Sequence, residues 1–156
     1  MLEISIPGSP TLRLAHLVLD YNGTIAEDGE PIAGIAQRLE KLRNALKIHV
    51  VTADTHGTVQ DKLAGAPVTI TVVGPDRQDL AKEAYIEELG FDNVVAVGNG
   101  KNDGLMLQKA ALGIGVIQKE GAAAEVIKGA DLFCTSILDS LDLLLHLDRL
   151  RATLRR

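Results

Sequence analysis

Residues 14–25 read Leu-Ala-His-Leu-Val-Leu-Asp-Tyr-Asn-Gly-Thr-Ile. The apolar part of this segment ends at Asp20, and a loop that contains Gly23 follows at once. A run that becomes continuously apolar is typical of a strand buried on both faces of a sheet. The segment therefore predicts a core strand with a carboxylate at its carboxyl end.

The residues before this strand predict a β-hairpin. Residues 2–6 alternate apolar and polar side chains, and the Pro-Gly-Ser-Pro sequence of residues 7–10 is a strong turn signal. Residues 12–19 then resume as one strand that leads into the core.

Strand and helix patterns alternate through the rest of the chain. Strands are predicted at residues 48–52, 68–73, 93–97, 112–116 and 131–133, and helices at residues 31–46, 58–63, 78–89, 102–111, 122–127 and 138–149. This order predicts an α/β fold with a doubly wound, Rossmann-like, mainly parallel sheet and helices on both faces. No linker or repeat interrupts the 156 residues, so we expect a single domain over residues 1–156.

Composition limits the classes of function. The chain is 46% hydrophobic and 3% aromatic with a formal net charge of −5, which disfavours general binding to nucleic acid or to anionic membranes. The one cysteine, Cys134, cannot form an internal disulfide, and the first residues lack the pattern of a signal peptide. We therefore expect a soluble, cytoplasmic protein with no nucleic-acid or membrane partner.

Polar residues follow the first two core strands, where ligands of such sheets bind. Asp20 could attack phosphorus or hold a metal, and the backbone N–H groups around Gly23 could cradle an anion. An ordinary Asn-Gly turn is the alternative interpretation of this loop. Thr52 could donate to a phosphoryl oxygen or cap the next helix; Thr55 is more simply a cap, and His56 could contact a substrate near the same edge.

Two later features extend this set. Lys82, in the predicted helix of residues 78–89, could bring an ammonium to a phosphate, although most such lysines are simply solvated. Residues 98–103 read Gly-Asn-Gly-Lys-Asn-Asp and follow the strand of residues 93–97. Oxygen ligands on a tight loop suit Mg²⁺, while helix capping and a turn are the alternative role of Asn102 and Asp103.

In this order, the Asp20 segment, Thr52, Lys82 and residues 98–103 resemble the four motifs of the haloacid dehalogenase superfamily. The Gly-x-Gly-x-Asn-Asp pattern and residues 110–115 especially resemble the phosphorylation domain of P-type ATPases and small soluble proteins related to it. The resemblance implies a phosphatase in which Asp20 forms an aspartyl phosphate and Mg²⁺ is the cofactor. It implies the following site: catalytic residues Asp20, Asn22, Thr52 and Lys82; phosphate contacts from Gly23, Thr24, Thr52, Ala53, Lys82 and Asn102; and metal ligands Asp20, Asn22 through its carbonyl, Asn99 and Asp103.

Two positions depart from the superfamily pattern. Asn22 stands where its phosphatases usually have a second Asp that protonates the leaving group, so we expect slow turnover of alcohol phosphomonoesters. Asn99 stands where a metal-binding Asp is common, which should weaken Mg²⁺ binding without abolishing it. A non-catalytic protein that binds phosphate or Mg²⁺ for regulation, and a phosphoacceptor signalling domain, remain alternatives.

No cap domain fits between Gly23 and the helix predicted from Pro31, so the site should be open. A bulky phosphorylated partner or a second copy of the chain would then shield it, and we expect a homo-oligomer. The leucine-rich segment at residues 141–154 could provide the contact, but a helix docked on the protein's own core is the simpler interpretation.

Overall fold

A six-stranded parallel sheet forms the centre of the computed structural model, which describes residues 1–54 and 57–156. The strands are β1 (Leu2–Ile4), β2 (Leu12–Leu14), β3 (His16–Leu19), β4 (Ala26–Glu27), β5 (Glu30–Pro31), β6 (Lys47–Thr52), β7 (Thr69–Val72), β8 (Val94–Gly98), β9 (Leu112–Val116) and β10 (Leu132–Cys134). The order in the sheet is β10-β9-β8-β3-β6-β7, and each neighbouring pair is parallel. The α/β fold with a parallel, doubly wound sheet is thus confirmed.

The register of the sheet determines where the polar residues meet. Leu19, the last residue of β3, pairs with Val50 of β6 and Val97 of β8. Because parallel strands end at the same edge, Asp20, Thr52 and Asn99 emerge there together.

Helices cover both faces of the sheet. They are α1 (Ile35–Leu42), α2 (Val59–Lys62), α3 (Gln78–Leu89), α4 (Gly104–Lys109), α5 (Ala124–Gly129), α6 (Ile137–Leu145) and α7 (Leu147–Leu154). On one face, Leu39 of α1 and Leu141 of α6 belong to the same apolar cluster as the inner side chains of the strands. On the other face, Ile86 of α3 and Met106 of α4 pack against Val18 and Ala96.

The N-terminal hairpin is confirmed, but the single strand predicted over residues 12–19 is wrong. It divides at Ala15, because β2 pairs antiparallel with β1 whereas β3 joins the parallel sheet. The Ala15 backbone N–H donates to the Asn93 carbonyl and its carbonyl accepts from Lys47, at 2.8 and 2.9 Å. These bonds join Ala15 to both neighbours of β3.

The helix predicted from Pro31 also begins later than expected. Pro31 belongs to β5, which pairs antiparallel with β4 in a small hairpin after the Asp20 segment. Gly34 has φ of +92°, which is outside the helical region, so α1 begins at Ile35.

The C-terminal segment forms two helices that meet at His146 instead of one continuous helix. Leu141, Leu144 and Leu150 are buried in the core, as expected for docked helices. No helix in the described part of the chain is long and apolar enough to cross a membrane.

Candidate active site

A buried ion triad lies at the carboxyl edge of the sheet. Lys82 Nζ donates to Asp20 Oδ1 at 2.6 Å and to Asp103 Oδ1 at 2.7 Å. Lys82 and Asp103 are fully buried, and Asp20 is 7% exposed. The long lysine stem, on α3, thus brings its charge between the loops that follow β3 and β8.

The charges in this triad do not cancel, because two carboxylates face one ammonium. Burial, followed by the neighbouring Asp103 carboxylate, raises the pKa of Asp20 to about 7, although Lys82 opposes the shift. Burial would lower the pKa of Lys82, but its two carboxylate partners outweigh this effect and raise it. The arrangement therefore favours a further cation beside Asp20.

The Asp20 loop, residues 20–26, is a tight turn around one carbonyl. The Tyr21 carbonyl accepts from the N–H groups of Thr24, Ile25 and Ala26 at 3.0–3.2 Å. Gly23 has φ of +76° and lies against the side-chain amide of Asn99, so a Cβ here would clash. A glycine at position 23 lets this loop contact the next one.

The Asn99 loop, residues 98–103, folds around Asp103. Asp103 Oδ2 accepts from the backbone N–H groups of Asn99 at 3.0 Å and Gly100 at 2.8 Å, while Oδ1 accepts from Lys82. A Cβ on Gly98 would lie 2.5 Å from the Asp103 carboxyl carbon, so position 98 requires a glycine. Asp103 consequently orients both the loop and Lys82.

The side chain of Asn99 directs its oxygen towards the Thr24 hydroxyl, which also bonds to Asp20. Asn99 Nδ2 donates to the Gly121 carbonyl at 3.1 Å, which turns Oδ1 towards Thr24. Thr24 Oγ1 lies 3.1 Å from Asn99 Oδ1 and 3.3 Å from Asp20 Oδ2. The Thr24 hydroxyl therefore lies between the Asp20 carboxylate and the Asn99 amide oxygen.

The oxygen atoms of Asp20 and Asn99 suit a hard cation that needs few protein ligands. No group of three or more His, Cys, Asp or Glu side chains that could hold a metal occurs among residues 1–54 and 57–156. Mg²⁺ typically uses one or two carboxylates and keeps several waters. The net negative charge of the triad and the oxygens of Asp20 and Asn99, which both lie within 3.3 Å of Thr24 Oγ1, therefore fit Mg²⁺.

The other expected residues lie around this centre. Thr52 ends β6 and is 1% exposed, and Ala53 follows it, half-buried. Asn102 Nδ2 donates to Gln78 Oε1 at 2.7 Å, and Asn22 is exposed. Thr55, predicted as a helix cap, and His56, predicted as a candidate substrate contact, lie outside the described residues.

Gln118 is a site residue that the sequence pattern did not reveal. Its Nε2 donates to the carbonyls of Gly23 and Thr24, at 3.0 and 2.9 Å. A lone glutamine after a strand carries no motif, and the contact joins residues more than ninety positions apart, so only the tertiary structure shows it.

Two cavities adjoin these loops. A groove of about 670 Å³ between α3, α4 and α5 is lined in part by Gln78 and Asn102, but not by Asp20 or Lys82. A smaller cavity of about 200 Å³ is lined by Gly23, Gln118 and Ser136. The ion triad thus lies outside the larger groove.

Comparisons with known proteins identify relatives by sequence. No family model matches the chain. The chain is 45% identical over 82 residues to uncharacterized protein MJ0073 of Methanocaldococcus jannaschii, a match that spans 50% of this chain and 88% of that protein. It is also 44% identical over 39 residues to uncharacterized protein MJ0072 of the same organism, spanning 25% of this chain and 89% of that protein.

Solved structures with a similar fold are phosphatases and hydrolases. The 3-deoxy-D-manno-octulosonate 8-phosphate phosphatase of Moraxella catarrhalis, solved with magnesium and phosphate ions, has a TM-score of 0.72 and 16% identity over 91% of this chain and 94% of that one. A putative hydrolase of the HAD superfamily, subfamily III A, from Legionella pneumophila has a TM-score of 0.73 and 17% identity, over 90% and 87% of the two chains. A putative HAD family hydrolase from Streptomyces avermitilis has a TM-score of 0.64 and 23% identity, over 88% and 94%.

Proposed function

This chain belongs to the family of the Methanocaldococcus jannaschii protein MJ0073 and has the haloacid dehalogenase fold, and from that premise we propose that it is a Mg²⁺-dependent phosphatase acting through Asp20. The observation that carries the proposal is the contact of Asp20 with Lys82 at 2.6 Å, at the carboxyl edge of the sheet. A buried carboxylate is costly unless it is paired, and the second oxygen of Asp20 lies beside Thr24 and Asn99.

In the proposed reaction, an Asp20 carboxylate oxygen attacks phosphorus in line with the leaving group. The new bond is between this oxygen and phosphorus; the bond from phosphorus to the leaving oxygen breaks, and its electron pair stays on that oxygen. Lys82 balances negative charge beside Asp20, and Thr52 supplies a hydroxyl donor at the end of β6. Water then attacks phosphorus, the bond between phosphorus and the Asp20 oxygen breaks, and inorganic phosphate leaves while Asp20 returns to its free carboxylate.

The predicted phosphate contacts beyond Lys82 and Thr52 remain part of the proposal. They are Gly23, Thr24, Ala53 and Asn102. Of the four predicted metal ligands, Asp20, the Asn22 carbonyl and Asn99 remain the residues that would hold Mg²⁺. The fourth, Asp103, accepts from Lys82 through Oδ1 and from the Asn99 and Gly100 N–H groups through Oδ2, so we propose that it orients these groups and does not bind the metal directly. When bound, Mg²⁺ offsets negative charge on the phosphoryl oxygens.

Asn22 determines the class of substrate. An amide cannot transfer a proton to a leaving alkoxide, and general acid catalysis is typically worth ~10²- to 10⁴-fold in rate. Acyl and aryl phosphates have leaving groups that need no such proton, so we propose these as the better substrates. The resemblance to the phosphorylation domain of P-type ATPases, in which the same acid is missing, also stays a prediction.

A regulatory protein that binds phosphate or Mg²⁺ without turnover is the second candidate. The two amides, Asn22 and Asn99, favour it because each replaces a carboxylate that the superfamily uses in catalysis or metal binding. The expected homo-oligomer is likewise a prediction for either candidate, since both leave the edge of the sheet open.

The distinguishing experiment measures hydrolysis of p-nitrophenyl phosphate and acetyl phosphate with and without Mg²⁺. The phosphatase proposal expects Mg²⁺-dependent turnover that Asp20→Ala abolishes. Turnover that survives Asp20→Ala contradicts the assignment of the nucleophile. No turnover of either substrate, together with Mg²⁺-dependent phosphate binding, favours the regulatory protein.

A further inference from the structure

Gln118 joins the Asp20 loop to a distant helix. Its Nε2 donates both hydrogens to the loop, to the carbonyl of Gly23 at 3.0 Å and to that of Thr24 at 2.9 Å. Its Oε1 accepts from the backbone N–H of Ile137, the first residue of α6, at 2.7 Å. The primary amide therefore uses both donors and its acceptor.

Few side chains at position 118 could make all three of these hydrogen bonds. Gly23 and Thr24 are buried, so their carbonyls need partners from the protein. Glutamate at position 118 could still accept from Ile137 but would place a negative oxygen against two carbonyls. Asparagine has the same groups on a shorter stem.

The turn that carries Gln118 also contacts the Asn99 loop. The Gly121 N–H donates to the Gln118 carbonyl at 2.9 Å, which closes the turn of residues 118–121. The Gly121 carbonyl accepts from Asn99 Nδ2 at 3.1 Å, and the Ala123 N–H donates to the Asn99 carbonyl at 2.9 Å. One connection after β9 thus touches both loops that surround the ion triad.

We propose that Gln118 is a positioning residue that fixes the Asp20 loop against α6 and so aligns the Asp20 carboxylate with Thr24 and Asn99. The inference rests on the proposed phosphatase function for its catalytic consequence. Gln118 acts through the loop backbone and touches neither the substrate nor the metal.

The test compares Gln118→Met and Gln118→Glu with Ser136→Ala. Ser136 caps α6 by accepting from the Leu138 N–H at 3.1 Å, so Ser136→Ala weakens the same helix end without removing a hydrogen bond to the Asp20 loop. Two quantities are measured well below each thermal midpoint: hydrogen exchange of the Thr24, Ile25 and Ala26 amides, and kcat and KM for p-nitrophenyl phosphate.

The proposal expects exchange of the three amides to rise about tenfold in both Gln118 variants, and to remain near wild type in Ser136→Ala. It expects kcat to fall about tenfold or more in the Gln118 variants, with KM changed much less. Glutamate retains the Ile137 contact, so a loss in both variants assigns the effect to the loop bonds.

Other results overturn the inference. Unchanged loop exchange in the Gln118 variants shows that Gln118 does not hold the loop, whatever the activity. Faster exchange with unchanged kcat shows that the loop needs no such restraint for catalysis. A wild-type protein without phosphatase activity contradicts the proposed function instead, and the exchange rates still decide whether Gln118 holds the loop.

Discussion

Lys82 Nζ lies 2.6 Å from Asp20 Oδ1, although the two residues are 62 positions apart in the chain. The Lys82 side chain extends from α3, and its Nζ donates a second hydrogen bond to Asp103 Oδ1 at 2.7 Å. The pair organises the edge of the sheet, because one ammonium bonds both the carboxylate that begins the Asp20 loop and the carboxylate that ends the Asn99 loop.

Removing this ammonium should destabilise the protein severely. Lys82→Met leaves the Asp20 and Asp103 carboxylates buried without their cation, which typically costs about 3–5 kcal/mol. Urea unfolding at pH 7 measures the free energy. Lys119→Met, which removes an exposed ion pair with Glu27, is the matched control and should leave the midpoint near wild type. Equal midpoints for the two variants would show that the triad adds nothing to stability.

Replacing Asn22 by aspartate should restore the missing proton donor. Asn22 is exposed, so the substitution creates no buried charge. We expect Asn22→Asp to raise kcat on an alkyl phosphate by ~10²-fold or more, and on p-nitrophenyl phosphate much less, because only the poorer leaving group needs the proton. An equal increase on both substrates would contradict this role for position 22.

Replacing Asn99 by aspartate should strengthen Mg²⁺ binding while weakening the protein without the metal. The carboxylate adds a negative charge beside Asp20, but it loses the donor to the Gly121 carbonyl. We expect half-maximal activity at about tenfold lower Mg²⁺ and a lower thermal midpoint in EDTA. Asn44→Asp, at an exposed position outside the site, is the comparison variant. An unchanged Mg²⁺ requirement in Asn99→Asp would remove Asn99 from the metal site.

The stability of the fold should decrease in acid because of His49. Its Nε2 lies 3.0 Å from His16 Nδ1 and its Nδ1 lies 2.9 Å from the Tyr85 hydroxyl, in a chain between the sheet and α3. Burial, then the charges of His16 and Lys47, lowers the pKa of His49 from 6.5 to about 4.

Between pH 6.5 and 4, the unfolded chain therefore binds a proton that the folded chain does not bind. The contribution of His49 to folding stability is complete above pH 6.5 and decreases as the pH is lowered towards 4, by up to about 1.4 kcal/mol for each pH unit. Urea unfolding at several pH values should show a smaller decrease for His49→Gln than for wild type, while His146→Gln, at an exposed position, is the control. Parallel pH profiles for wild type and His49→Gln would contradict this assignment.

The sequence predicted those parts of the fold that depend on local pattern. The bounds of α3 and β9 are as predicted, because each is a periodic or continuously apolar segment between clear breakers. The predicted strand over residues 12–19 divides at Ala15 because its two halves have different partners, and no local pattern distinguishes those partners. The helix predicted over residues 138–149 breaks at His146, where no proline or glycine in the sequence indicates a break.

The candidate site likewise has some features that the local sequence predicts and others that depend on tertiary contacts. Asp20, Thr52 and Asn99 could be placed at one edge of the sheet because each ends or follows a predicted strand and parallel strands end at the same edge. That their three strands are neighbours comes from the structure. No sequence pattern indicates the Gln118 contacts or the bond that turns the Asn99 oxygen towards Thr24. Those contacts depend on side chains that meet only after the loops have folded.

The proposal that Asp20 carries the phosphoryl group is tested by locating the site of phosphorylation. Protein mixed with acetyl phosphate and Mg²⁺ is quenched in acid, digested and examined by mass spectrometry. We expect one phosphoryl group on the peptide that contains Asp20, and no phosphoryl group on the Asp20→Asn variant. A phosphoryl group on another residue, or one that persists in Asp20→Asn, would contradict it.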